Sequence, residues 1–210
     1  MSTTNNRILS IYKSRKTILE VLSTHQGYNV AEYEEFTINE IEWMYSNSQL
    51  DMLITNETTK KKAYIKYYLT AKQIRPQNLD DIIEDLFVID DVLSKNDTLI
   101  IITEDEPNDT IITKMKYLYD HDGIFVVIHN INRLQYNILN HILVPNCKIL
   151  NEVEVKDLKS KYNIERPMQL PEISRFDPQS LAMCIRPGDI CEFKRDSATA
   201  LFYHYYRVCV

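Results

Sequence analysis

Arg186-Pro187-Gly188-Asp189 leads into Ile190-Cys191-Glu192-Phe193-Lys194-Arg195, and after Asp196-Ser197-Ala198-Thr199-Ala200 the chain runs on through Leu201-Phe202-Tyr203-His204-Tyr205-Tyr206-Arg207-Val208. Two strands are expected here, Ile190–Arg195 and Phe202–Val210. Pro187 and Gly188 turn the chain into the first, because proline fixes φ and glycine tolerates a tight bend. Working back from them, Leu143–Ile149 reads as a strand and Glu152–Lys161 as a helix capped by Asn151. Arg166 to Pro178 is a proline-punctuated stretch. Pro171 and Pro178 bias the residues before them toward extended backbone, which suits a segment lying across a partner rather than inside a helix. Residues from about 141 to 210 therefore read as a small α+β module.

The residues before it have another texture. Ile8, Ile11, Tyr12, Ile18, Leu19 and Leu22 recur at spacings of three and four, predicting a helix from about Arg7 to Ser23 that stops at Gly27. Lys13, Lys16 and Glu20 fall on its far face, with Arg15 nearer the border. Thr37 and Glu40 make a capping box for a helix over Ile38–Tyr45, which carries the single tryptophan, Trp43, expected in the core. Leu50–Thr55 and Ala63–Leu69 read as strands joined by a polar turn, with Lys60, Lys61 and Lys62 at its edge. Pro76 opens a helix to about Phe87. Leu99–Ile102 and Ile124–Ile128 are continuous apolar runs, expected to be strands buried on both faces, with a helix over Thr110–Tyr119 between them. Strands alternating with helices imply a layered α/β domain with a mixed sheet over residues 1–140.

Composition narrows the function. The 210 residues are 44% apolar and 26% charged, the mixture of a folded protein. With three glycines, no phosphate-cradling glycine loop can be built. Cys147, Cys184, Cys191 and Cys209 form no C-x-x-C pair and are expected to be reduced thiols. No apolar run approaches the ~20 residues of a membrane span, and the polar start is unlike a signal peptide. An intracellular protein with no membrane partner, no small-molecule ligand, no cofactor and no bound metal is expected. The net charge of −6 argues against general affinity for nucleic acid. Residues 141–210 hold ten Lys and Arg against nine Asp and Glu, so the acidity lies in residues 1–140, with 14 against 21.

Seven short stretches occur in order in the last third: Leu143-Val144-Pro145, Lys161-Tyr162-Asn163-Ile164, Gln169-Leu170-Pro171-Glu172-Ile173, Asp177-Pro178, Arg186-Pro187-Gly188-Asp189, Arg195-Asp196-Ser197-Ala198-Thr199-Ala200 and Tyr206-Arg207-Val208. With them the module resembles the fifth subunit shared by the eukaryotic nuclear RNA polymerases, whose archaeal counterpart is this module alone. The resemblance implies a non-catalytic subunit that docks on the largest polymerase subunit and assembles with the others. The implied partner-binding residues are Pro145, Gln169, Leu170, Pro171, Asp177, Pro178, Arg186, Gly188, Arg195, Thr199 and Arg207. Each arginine either holds the module's own fold or reaches the partner. The sequence departs from the family where Cys147 stands for His, Ala198 for Glu and Leu201 for Gly.

Tyr12-Lys13-Ser14-Arg15-Lys16-Thr17-Ile18, Gly27-Tyr28 and Leu50-Asp51-Met52-Leu53 resemble the eukaryotic jaw domain, which implies a restriction-endonuclease-like layered fold beside downstream DNA. The family's DNA-facing loop falls at Glu104-Asp105-Glu106-Pro107-Asn108-Asp109-Thr110, so Asn108, Asp109 and Thr110 are the candidate DNA residues. Four carboxylates there would repel phosphate, and the contact is not carried over with the domain. A two-part chain resembles a eukaryotic or large-DNA-virus subunit, and the bias toward Asn, Ile, Lys and Tyr leans to the virus. The implied location is the nucleus, or a viral factory and virion.

Two rival readings remain. A metal-dependent nuclease of that fold would use Asp51 and a D/E-x-K on the next strand, but Tyr64-Ile65-Lys66 lacks the carboxylate, and Glu57 lies in the turn. A free-standing DNA-binding adaptor would need a contiguous basic face.

Overall fold

A computed structural model describes residues 2–210, and the chain divides into two compact units that part between Asn137 and Ile138. In the first, α1 (Ser2–Gln26) leads to β1 (Tyr28–Asn29), α2 (Ile38–Ser46), β2 (Met52–Asn56), β3 (Lys62–Tyr67), α3 (Pro76–Glu84), β4 (Thr98–Thr103), α4 (Asp109–Tyr117) and β5 (Phe125–Asn130). The five strands lie in the order of their numbers. β1, β2 and β3 pair antiparallel, whereas β3, β4 and β5 pair parallel. Parallel neighbours need a crossover, and α3 and α4 supply the two.

The continuous apolar runs behave as expected, since every residue of β4 and all but the last of β5 are buried. Ile8, Ile11, Ile18 and Leu22 of α1 are buried with them. Gly27, at φ +69°, ends α1 and donates its N–H to the Ser23 carbonyl at 3.1 Å. The Thr37–Glu40 capping box forms on α2.

Three expectations fail. Trp43 is 63% exposed, because the buried position of its short helix is Ile41. Arg15 lies well inside the border, at 2% exposure. The helices beginning at Pro76 and Asp109 stop sooner than predicted and loosen into π-type turns, Asp85–Ile89 and Leu118–Asp122. Such a turn shifts side chains off the helical face, and Val88 and Ile89, at the end of the first, emerge into solvent.

The second unit contains β6 (Asn146–Ile149), α5 (Glu152–Tyr162), β7 (Glu172–Ile173), α6 (Pro178–Ala182), β8 (Ile190–Ser197) and β9 (Leu201–Cys209). Its sheet runs β6-β8-β9-β7. β6 starts three residues later than predicted, since residues 141–144 form turns before Pro145. The proline-punctuated stretch is not wholly extended: Asp177 is extended as expected, but Pro178 occupies the first position of α6. There its missing N–H costs nothing, and the Asp177 side chain accepts from Gln179 N at 2.9 Å. All four cysteines are free.

His129 on β5 is buried, and its Nε2 has no hydrogen-bond partner. Burial, with the Arg133 charge added, pushes its pKa down from 6.5 to about 4. A base depressed in the fold stabilises fully above its unfolded pKa, and that stability drains away as pH falls from 6.5 toward 4. At about 1.4 kcal/mol per unit, this window is worth about 3 kcal/mol. Urea unfolding at pH 7 and pH 4.5 should show a smaller acid loss for His129→Gln than for the parent; equal losses would contradict this.

Candidate docking surface

β8 and β9 pair antiparallel from Ile190↔Val208 to Ser197↔Leu201, so one side of the hairpin carries the odd-numbered residues and the other the even-numbered. On the odd side, Cys191, Phe193 and Cys209 are buried with Ile173, Met183 and Ile185. On the even side, Ile190 and Val208 meet Leu158 of α5. These contacts cover only the inner half. β6 reaches no further along β8 than Lys194, and β7 meets β9 only at Val208 and Cys209.

Beyond them the hairpin continues without a third strand on either edge. Its odd side presents Tyr205, stacked at 5.2 Å on Phe193, with the Arg195 and Arg207 guanidinium groups 4.4 and 5.2 Å from the Tyr205 ring centre. Tyr203 and Leu201 follow, both exposed. On the even side Phe202 is exposed beneath the Lys194 ammonium, 4.2 Å away. Leu201 adopts φ +60°, a left-handed conformation that disfavours a side chain with a Cβ. Open strand edges flanked by exposed aromatic and cationic groups favour pairing with another chain.

The sequence-predicted residues divide between this surface and the module's own framework. Arg195 and Thr199 are exposed on the hairpin. Arg207 donates from Nη1 to the Glu172 carbonyl at 3.2 Å, tying β9 to β7, while its buried Nε has no partner. Leu170 packs on the α5 side of the sheet, and the Pro171 carbonyl accepts from Val208 N at 2.9 Å. Gln169 folds back to accept from Glu165 N at 2.9 Å. The Pro145 carbonyl accepts from the Gln179 side chain at 2.7 Å, next to the Asp177–Pro178 cap. Gly188, at φ +94°, donates to the Cys209 carbonyl, and Arg186 N donates to Asp189. Sequence reasoning missed the exposed Leu201, Phe202 and Tyr203, and Ile142 and Met168 as well. The unbroken run from Leu201 to Tyr206 was the available signal, because adjacent large residues on a strand cannot all face one core.

Residues 136–209 match the family model described as RNA polymerase Rpb5, C-terminal domain. DNA-directed RNA polymerase subunit Rpo5 of Pyrococcus abyssi is 51% identical over 76 residues, which are 36% of this chain and 92% of that protein. Its Thermococcus kodakarensis counterpart is 47% identical over the same lengths. The same subunit of Methanococcoides burtonii is 36% identical over 74 residues, 34% of this chain and 94% of its own. This chain belongs to the Rpb5/Rpo5 family. The shared part is the second unit, and those archaeal relatives consist of little more than it.

In the first unit the pair weighed for a nuclease does come together, in another capacity. Asp51 accepts three hydrogen bonds: from Tyr64 Oη and Lys66 Nζ, each at 3.1 Å, and from Tyr67 N at 3.0 Å. Tyr64 stands where the second carboxylate would be required, and burial followed by the Asp51 charge raises its pKa, so it stays a neutral donor. Among the described residues no group of three or more His, Cys, Asp and Glu could hold a metal ion. The acidic loop is also less bare than its sequence. Glu104 pairs with Arg7, and Glu106 accepts from Arg133 at 2.6 Å. Asn108 caps α4 by accepting from Ile111 N at 3.0 Å, and Asp109 and Thr110 form the first turn of that helix.

Asp51 thus clips β2 to β3. Asp51→Ala should lower unfolding stability by about 1–3 kcal/mol, the cost of leaving several partly buried donors without an acceptor. Urea denaturation with and without magnesium checks both points: a neutral substitution, or a magnesium-dependent gain in the parent only, would contradict the structural role.

Proposed function

We propose that this chain is a non-catalytic subunit of a multisubunit DNA-directed RNA polymerase, with residues 141–210 docking on the largest subunit and residues 1–140 forming part of the downstream-DNA jaw. One observation carries the reading: the family module, which nearly makes up the archaeal polymerase subunits, here presents a hairpin whose outer half has no third strand at its edges among the described residues and exposes aromatic groups. Arg195, Thr199, Leu201, Phe202 and Tyr203 are the direct contacts in this account. Pro145, Gln169, Leu170, Pro171, Asp177, Pro178, Arg186, Gly188 and Arg207 hold the hairpin at the angle the partner meets.

The jaw assignment has its own support. A mixed five-stranded sheet with Asp51 opposite Lys66 fits a restriction-endonuclease-like layout whose catalytic carboxylate has become a tyrosine. Arginine pairing of Glu104 and Glu106 removes part of the repulsion that the 104–110 loop would direct at phosphate, leaving Asp105 and Asp109 as its unpaired charges in this account. Such a subunit resides where its polymerase works, the nucleus or a viral factory and virion.

Affinity purification of the tagged chain from its source should recover the large catalytic subunits. The double substitution Phe202→Ala and Tyr203→Ala should weaken incorporation by about 2 kcal/mol or more, as truncation of central aromatic anchors does. Recovery of the parent as a free monomer, or undiminished incorporation of the double variant, would count against the proposal.

A further inference from the structure

The hydrogen bonds of β9 show which way its backbone groups point. The Cys209 N–H donates toward β8, to the Asp189 carbonyl, whereas the Val208 and Val210 N–H groups donate away from β8, to the Pro171 and Ile173 carbonyls, each bond at 2.9 Å. Backbone groups alternate along a strand, so Phe202, His204 and Tyr206 also turn their N–H and C=O groups away from β8. The Phe202 N–H is taken by the Ala200 carbonyl at 2.7 Å. The N–H groups of His204 and Tyr206 meet no backbone acceptor among the described residues. In the parallel row of β7, the next donor toward β9 would be residue 171, at the Tyr206 carbonyl. Pro171 has no N–H to give, and Pro167–Gln169 before it is wound into a 3-10 turn. The chain's own row therefore ends at Val208, and the outer edge of β9 stays open.

Open edges are ordinarily blunted by lysine, proline or a bulge. This one reads Phe202-Tyr203-His204-Tyr205-Tyr206, five ring-bearing residues with neither lysine nor proline, paired to β8 in unbroken register. Phe202, Tyr203 and His204 are exposed. The two sides of the hairpin also differ in charge. On the even-numbered side Glu192 accepts from Tyr206 Oη at 2.9 Å and meets His204 Nδ1 at 3.0 Å, with Lys194 and Asp196 beyond. On the odd-numbered side the Arg195 and Arg207 guanidinium groups flank Tyr205, and no residue of β8 or β9 there is acidic. Cations without a carboxylate of their own suit a partner that brings one. We propose that the polymerase partner adds an extended strand to the outer edge of β9, hydrogen-bonded to the His204 and Tyr206 backbone, with an acidic side chain on the side of Arg195 and Arg207. This rests on the polymerase reading above and gives it a mode of docking in which main-chain bonds hold the partner and the flanking side chains select it.

Recovery of the large polymerase subunits with the tagged full-length chain would be compared for the parent, His204→Pro, His204→Ala and Arg195→Glu, with Tm and sedimentation of each free chain. Proline at 204 removes an N–H that has no partner in the free chain, so Tm should stay near that of the parent, while recovery falls about tenfold or more, the worth of a lost hydrogen bond in a dry interface. His204→Ala keeps the N–H and should stay within about twofold of the parent, as surface substitutions do. Arg195→Glu should lower recovery about tenfold by setting like charges opposite each other. An ester in place of the His204 amide, introduced by ligating a synthetic 191–210 peptide at Cys191, removes the N–H alone and keeps the test open if the proline variant fails to fold. Parent-like recovery of the proline or ester form, an equal loss in His204→Ala, or undiminished recovery of Arg195→Glu would overturn the proposal while leaving the polymerase reading standing. So would a free parent that sediments as a dimer and becomes monomeric in His204→Pro, because a second copy would then occupy the edge. A parent that recovers no polymerase subunit would sink the polymerase reading, and this inference with it.

Discussion

The register of β8 against β9 is the constraint on which the second unit rests. Eight residue pairs, from Ile190↔Val208 to Ser197↔Leu201, fix which side chains face which layer. A slip of one residue would send Cys191 and Phe193 out of their core and bring Glu192 and Lys194 into it. Two clamps near the open end oppose that slip. The Gly188 N–H donates to the Cys209 carbonyl and the Cys209 N–H to the Asp189 carbonyl, each at 2.9 Å. Beside them, β7 holds β9 at Val208 and Cys209. At the closed end the chain reverses through residues 198–200 and accepts a left-handed Leu201, a local cost carried by the pairing on either side.

One pair of strands therefore does two things along its length. Where β6, β7 and α5 cover it, its residues build two small cores, one on each side of the sheet. Where that cover ends, the alternation continues past the half-buried Tyr205, and residues that would have been core become an exposed surface at Tyr203 and Leu201. If these groups dock on a partner as proposed, their position is set by backbone pairing, which limits the ordering cost on binding. In the first unit a comparable economy appears at Asp51, where the residue that would anchor a metal in a nuclease instead receives two side chains and a backbone amide.

Much of this was legible in the sequence, for reasons that separate the successes from the failures. Continuous apolar runs at Leu99–Ile102 and Ile124–Ile128 read as strands buried on both faces, as β4 and β5 are, and the Thr37–Glu40 and Asn151 caps are local chemistry that tertiary structure rarely overrides. Arg15 and Trp43 were misplaced because a side chain's depth depends on what packs across from it, which spacing alone does not report. The helices at Pro76 and Asp109 were read too long because the apolar pattern continues through Leu86 and Leu118, which stay buried after the backbone has changed to a π-type turn. For the site, motif order located the module but did not separate framework from surface. Asp177, Gly188 and Gln169 turned out to satisfy backbone groups of their own unit, whereas the exposed Leu201, Phe202 and Tyr203 lay between motifs.

If the outer half of the hairpin is where the polymerase holds this subunit, its backbone amides must change state on assembly. Amide hydrogen exchange of the free chain and of the chain within purified polymerase tests this most directly, because edges that lack a strand partner exchange through local opening. Strong new protection is predicted over residues 195–206 on assembly, with little change across the already paired stretch around Ile190 and Val208. Unchanged exchange over 195–206 in a complex that protects other segments of the chain would contradict it.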